Sequence, residues 1–355
     1  METVYSAMNA RLQSLVHGAL LALIIGWVLY IGKDVLVPVV FGAVVVYVIV
    51  GVTHALRRLP VLGPLLPLPL RYVLSIAGIG LALLVIGYLL IAHKDKVMAL
   101  APQYQAAVLV AMQKVAVLFG IETEPTWATL RQDILARINI QMLLGSVLVS
   151  VSSIAVSLVV VLLYAVFLLI EQHSFDGKLA RLSDDPRQMA RLRELISDIN
   201  RRIGSYLALK TFLSVFLGGV SWVAMSYYDL QFAGFWAVLI AILNFVPYLG
   251  SVLGVLFPAI MAVVQFVDPG TVLSLIALLA IAQFLIGNFL DPYVMGNSLN
   301  LSPFAILVSL AIWSELWGIP GAFLAVPIMA ILTIVFSEFA GTRPIAVLLS
   351  RSGAL

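Results

Sequence analysis

Among the polar side chains inside or against the most apolar stretches of this sequence are Asn244, Gln283, Asn288, Asp291 and Glu315. Burying such groups costs free energy unless a partner, an ion or a solute satisfies them. Asn244 stands three residues before Pro247, so its amide can bond carbonyls freed by a helix break or a neutral, hydroxyl-rich solute; local capping is the plain alternative. Glu315 is the only carboxylate close to a break, a candidate for cation or proton coupling, with a headgroup-level position as the competing reading. Gln283 and Asn288 are five apart and off one helical stripe, while Phe284 and Asn288 share one, so Gln283 fits helix packing better than ligand binding. No covalent chemistry is in view. HExxH, GxSxG and P-loop patterns are absent, and His17, His54, His93 and His173 are scattered, mostly near span ends. The chain has no cysteine, which excludes disulfides and thiolate metal sites. No catalytic residue, metal ligand or cofactor is expected. An intramembrane protease would need a Ser/His or paired-Asp constellation that the spans do not offer.

Two interrupted segments would have to position these residues. Pro303 to Phe336 is almost wholly apolar yet broken at Trp317-Gly318-Ile319-Pro320-Gly321. The 14 residues before the break would rise only about 21 Å as a helix, short of the roughly 30 Å hydrocarbon core. Phe235 to Phe266 repeats the design, with about 12 residues, or roughly 18 Å, ahead of Pro247 and Gly250. Phe235/Phe304 and Pro258/Pro327 share an offset of 69, and chance matching between apolar sequences of few letters is the competing explanation. Lipid cannot satisfy the backbone groups a break frees, so each break belongs where protein or a water-lined cavity surrounds it. Paired interrupted segments point to a transporter's binding site, with half-helix ends supplying dipoles. The expected solute-facing set is Asn244, Pro247, Gly250, Asn288, Pro320 and Gly321.

The frame around them is all-α and membrane-embedded. At 63% hydrophobic, 10% charged and a mean hydropathy of +1.12, the chain lies far outside soluble domains, where about a quarter of residues are charged. A net charge of +3 is too small to suggest nucleic acid. Spans are expected at Leu15–Ile31, Val35–Leu56, Tyr72–Ala92, Met142–Ile170, Tyr206–Tyr227 and Thr271–Leu290, giving six to eight transmembrane helices with the broken segments. The expected units are a three-helix unit at 1–92, an external amphipathic insertion at 93–141, two helices with a basic segment (171–205) at 142–227, a unit at 228–340 holding the interrupted segments (235–267 and 303–338), and a tail at 341–355. No cleavable-signal pattern precedes Lys33-Asp34, so the first helix is expected to be retained. Ser183-Asp184-Asp185-Pro186 is a start signal for a basic amphipathic helix running towards Tyr206.

Alternation places Arg11, the Arg57–Arg71 loop and the Lys178–Arg202 cluster on one side, eleven basic residues against five in 93–141, which makes the N-terminus cytoplasmic. Two topologies remain open. If each broken segment is a hairpin returning to its own side, the repeats are inverted and the loop Asp291–Ser302 is cytoplasmic. If each crosses as a bent helix, that loop is external. Both leave Arg343 and Arg351 inside, and the short first arms favour hairpins.

The stretches NFVPYLGSVLG, GNFLDPYVMGNSLNLSP and WSELWGIPGAFLAVP resemble the signature regions of the autoinducer-2 exporter family of bacterial membrane proteins, and the likeness covers most of the chain. It implies a secondary exporter of the quorum-sensing signal autoinducer-2, a small polar solute, in the bacterial inner membrane. Other members are described as sodium/proton antiporters, so Na+ or H+ is a possible coupling ion, and a homo-oligomer, a pentamer, is implied. A scaffold without transport activity is the third reading. The chain departs from the family pattern at Ile286, where an acid often precedes Gly-Asn, and at Asp291, where a neutral polar residue is frequent. Asp291 is therefore a second coupling candidate beside Glu315, although a helix-ending Asp-Pro turn is its plainer reading.

Overall fold

In the computed structural model, residues 2–57, 66–99, 140–181, 185–266, 268–291, 293 and 299–353 are described. They form α1 (Glu2–Ile31), α2 (Lys33–Arg57), α3 (Leu68–Ala99), α4 (Ile140–Leu179), α5 (Pro186–Tyr227), α6 (Ala233–Leu243), α7 (Leu249–Gln265), α8 (Pro269–Leu285), α9 (Pro303–Glu338) and α10 (Arg343–Leu349). The protein is an all-α polytopic membrane protein. By length and composition, α2, the Leu68–Leu89 part of α3, α5, α8 with its extension to Leu290, and α9 can each cross a membrane.

Helix starts follow one device used three times, a capping side chain followed by proline. Asp185, Asp268 and Ser302 accept hydrogen bonds from the N–H groups of Arg187 (2.9 Å), Thr271 (2.8 Å) and Ala305 (3.0 Å), and Pro186, Pro269 and Pro303 take the first helical position. Proline has no N–H to orphan there and its fixed φ suits the turn. The expected start at Asp185-Pro186 thus opens α5, whose 42 residues extend about 63 Å. Its basic first half and apolar second half form one unbroken helix. Two helices outrun their expected ends: α3 continues past Ala92 to Ala99, and α4 past Ile170 to Leu179, where Glu171 pairs with Lys178. Polarity alone does not stop a helix, and no proline interrupts either extension. The remainder of the 93–141 insertion, most of the Arg58–Pro67 loop and Asn297 lie outside the described residues.

Small residues and hydroxyls let the helices approach. A Cβ on Gly42 of α2 would stand 2.9 Å from Tyr164 Cβ of α4. Buried Thr53 of α2 donates to Ser75 of α3 (2.9 Å), and Tyr47 of α2 donates to Asn200 of α5 (2.6 Å). Leu217 of α5 joins Phe235, Trp236 and Leu239 of α6 in the largest apolar cluster, which also takes in Leu275 and Leu279 of α8. This cluster holds α6, α7 and α8 against the second half of α5.

Candidate functional site

At both expected breaks the chain folds back on itself. In the first, Leu243 faces Gly250, Ile240 faces Gly254 and the ring of Trp236 lies 6.4 Å from that of Phe257, so α6 and α7 run antiparallel. A Cβ on Gly250 would fall 1.8 Å from the Leu243 carbonyl oxygen. Only glycine permits that approach. Within the turn, Asn244 N–H donates to Ile240, Phe245 to Ile242, Val246 to Leu243 and Gly250 to Val246, so most donors at the break are satisfied locally. Tyr248 adopts a positive φ of 62°.

The second break has the same joint. Ser309 Oγ donates to the Ala325 carbonyl (2.8 Å) across 16 residues, which one straight helix would hold about 24 Å apart. A Cβ on Gly321 would lie 1.8 Å from the Trp313 carbonyl oxygen. Gly318, at φ 66° and ψ −144°, occupies a region essentially reserved for glycine. Thus α9, long enough to span by residue count, is two arms of a hairpin.

The hairpins open at opposite ends of the apolar second half of α5. Gln265, closing the first, accepts from Gln231 N–H and donates to the Asp229 carbonyl, just past the C-terminus of α5. The open end of the second packs Leu301, Met329 and Ala330 against Ile203, Tyr206 and Leu207, at the middle of α5 where its apolar half begins. Between them the turns meet: Phe245 stacks on Phe323 (4.3 Å), and Val246 joins Leu310, Trp313 and Trp317 in one cluster. The Trp317 indole N–H donates to the Leu29 carbonyl (2.9 Å), fastening the second hairpin to α1.

Beside the first turn lies a cavity of about 610 Å³. Its polar lining includes Tyr206, Lys210, Asn244, Gln283, Asn288 and Asp291. Lys210 Nζ donates to Asp291 Oδ2 at 2.8 Å, with the two side chains 10% and 18% exposed. Asp291 Oδ1 is buried and has no hydrogen-bond partner among the described residues. The encounter depends on a π turn, Ile286–Leu290, closed by the Asp291 N–H donating to the Ile286 carbonyl. The extra residue of that turn rotates Asp291 by about 100° relative to a continuous α-helix. At one side the C-terminal segment straps the cavity: Leu301 bridges Ser350, Ser302 N–H donates to the Leu349 carbonyl (2.9 Å), and Arg351 N–H to that of Asn300 (3.0 Å).

Of the sequence-derived candidates, Asn244, Pro247, Asn288 and Asp291 line this cavity. Asn244 is buried and donates its amide to Ser214 (3.0 Å), while Asn288 donates to the Phe284 carbonyl (3.2 Å). Gly250, Pro320 and Gly321 belong to the turns and are not among its lining residues. Glu315 is exposed, outside the cavity, and in no ion pair among the described residues. Sequence reasoning missed Lys210. Its signal was available, since Lys210 is the only charged residue within Tyr206–Tyr227.

Residues 19–341 match the AI-2E family transporter profile. The AI-2 transport protein TqsA of Escherichia coli K12 is 36% identical over 211 residues, 59% of each chain. A Borreliella burgdorferi protein provisionally named a transport protein is 34% identical over 200 residues, 56% of this chain and 55% of that one. YhhT of Escherichia coli K12, also provisionally named a transport protein, is 31% identical over 194 residues, 54% of each. The matches thus span somewhat more than half the length of these relatives. With a family match reaching from α1 to the end of the second hairpin, the chain belongs to the AI-2E family of membrane transporters.

Proposed function

We propose that the chain is a secondary exporter of the bacterial inner membrane that moves a small polar organic solute by exposing the cavity beside the first hairpin alternately to each side. The observation that carries this reading is a cavity of about 610 Å³ with a polar lining, placed where two oppositely opening hairpins meet. Small-molecule sites run from about 300 to 1,000 Å³. Amides at Asn244, Gln283 and Asn288 and the Tyr206 hydroxyl suit a neutral, hydroxyl-rich molecule. Autoinducer-2 is the leading candidate, supported by the name of the TqsA relative.

The hairpin topology supports this mechanism. The Leu301–Ser350 bridge joins the loop after α8 to the C-terminal segment, which favours one membrane side for both. With the basic half of α5 cytoplasmic, both termini are cytoplasmic in this reading, and each broken segment is re-entrant from its own side. Exposed apolar side chains such as Phe167, Val223 and Phe289, none of which lines the cavity, suit lipid or a neighbouring copy, in keeping with a homo-oligomer.

The test is uptake of labelled autoinducer-2 into sealed vesicles containing only this protein, with sodium and proton gradients imposed in turn. Saturable uptake that falls in Asn244→Ala supports the reading. Wild-type vesicles no faster than protein-free ones would sink it in favour of a scaffold.

A further inference from the structure

We propose that the Lys210–Asp291 pair is a charge lock that makes the cavity selective for neutral solutes, and that each half, left alone, would make it an ion site. This rests on the cavity being the solute site, and it adds the residues that set the solute's charge.

The charges facing the cavity come from few elements. Helix α5 contributes Lys210 and the neutral Tyr206, the turn after α8 contributes Asp291, α7 is preceded by Tyr248, and the C-terminal segment contributes Arg351. Arg351 is exposed, so water screens it. Asp291 is the only carboxylate among the described lining residues, and Lys210 the only buried cation. At 2.8 Å each cancels the other, and a buried charge without a partner is costly enough that it must either take a counter-ion or be neutralised by gain or loss of a proton. An entering cation must compete with an ammonium already seated on Asp291, and an entering anion must compete with the carboxylate.

A neutral hydroxylated solute meets no such competition. Asp291 Oδ1 is a buried acceptor without a partner among the described residues, which a solute hydroxyl would satisfy once the carboxylate turns to the cavity. Lys210 has three N–H donors, and the one hydrogen bond described for it goes to Asp291. Acceptor and donor side by side fit adjacent oxygens on one solute, a hydroxyl donating to Asp291 and a carbonyl or hydroxyl oxygen accepting from Lys210. The selectivity follows from the pair being intact, which makes it separable from its contribution to folding.

The test uses the purified full chain in detergent, without organic solute, and measures binding of radiolabelled sodium and radiolabelled acetate. Wild type is expected to bind neither saturably. Lys210→Gln should bind sodium, and Asp291→Asn acetate, each saturably and at least about tenfold above the wild-type background at the same ion concentration. The double variant Lys210→Gln/Asp291→Asn, an amide pair of no net charge, should bind neither and should elute as a single species even where a single variant aggregates. Saturable sodium binding by wild type that is lost in Asp291→Asn overturns the proposal, because Asp291 would then be an exchangeable cation site. Folded single variants that gain no ion at any pH from about 5 to 9, a range in which a lone Asp291 or Lys210 passes into its charged form, overturn it as well. Neither readout needs transport, so failure of the exporter reading leaves the outcome interpretable.

Discussion

Adding one methyl group at Gly250 tests whether the joint of the first hairpin is required. A Cβ there would stand 1.8 Å from the Leu243 carbonyl oxygen and 2.6 Å from its carbon, where ordinary contact begins at 3.4 Å. The arms must therefore part by roughly 1.6 Å, and because the obstacle is backbone, no rotamer change relieves it. Overpacking costs about 1–3 kcal/mol, and a backbone clash belongs at the upper end. Parting the arms also weakens turn hydrogen bonds such as Val246 N–H to Leu243 (2.8 Å), each contributing about 1 kcal/mol. The expected loss is on the order of 3–5 kcal/mol, read as a fall of at least about 5 °C in the apparent unfolding midpoint and as loss of flux in vesicles. Gly219→Ala is the control: a helical position with nothing within 4 Å of the new Cβ, where alanine gains about 0.5–1 kcal/mol. Gly321→Ala should behave like Gly250→Ala, given the same 1.8 Å approach to Trp313. A Gly250→Ala protein as stable and active as Gly219→Ala would refute the joint.

Asn244→Ala removes the hydrogen bond to buried Ser214 and a cavity amide, so solute flux should fall roughly two- to tenfold, while Glu315→Gln, exposed and outside the cavity, should leave it near wild type. Vesicle uptake at matched protein density checks the order, and a larger loss in Glu315→Gln would move the site to the second hairpin. A cysteine at Asn297, in a chain with none of its own, should resist an impermeant reagent applied to intact cells, with cysteines at Arg58 and Thr123 as inner and outer controls. Labelling from outside would contradict the re-entrant topology. The Thr271 hydroxyl and N–H hold the Asp268 carboxyl below its usual 3.8. The cap's contribution is therefore fully present above the ordinary value and is lost as pH falls through the lowered one, so an acid melt of Asp268→Asn should show less pH dependence in that range.

Much of this architecture is legible because two breakers are visible against apolar sequence. Pro247 and Gly250, and Gly318 to Gly321, stand where the chain turns, since glycine and proline act through the backbone and sequence carries backbone constraints directly. The cavity was harder to read. Asn244 and Asp291 face it together only because α8 ends in a π turn, and no residue type announces the one-residue excess that rotates Asp291 towards Lys210. Lys210 is four residues into its span, where a lysine ordinarily reaches back to the headgroups, so its position does not mark it as buried. Its pairing with Asp291 at the end of α8, 81 residues away, is what the span itself does not reveal. Glu315 shows the converse: adjacency to a break in sequence says nothing about which side of the arm faces the cavity.

The repeat between the hairpins is one of backbone geometry more than of sequence. The echo at an offset of 69 pairs Pro258 with Pro327, yet the joints pair Gly250 with Gly321, 71 apart, and their carbonyl partners Leu243 and Trp313, 70 apart. Each proline consequently follows its joint at a different distance, eight residues in the first hairpin and six in the second. At about 100° per residue, that puts the two prolines on faces roughly 160° apart relative to the joint. Pro258 and Pro327, matched in sequence, are therefore not structural equivalents. What recurs is a glycine admitting a backbone carbonyl from the opposing arm, the feature that any closely packed helical hairpin at membrane depth must supply, because a side chain there would separate the arms and expose the backbone groups that the turn now satisfies.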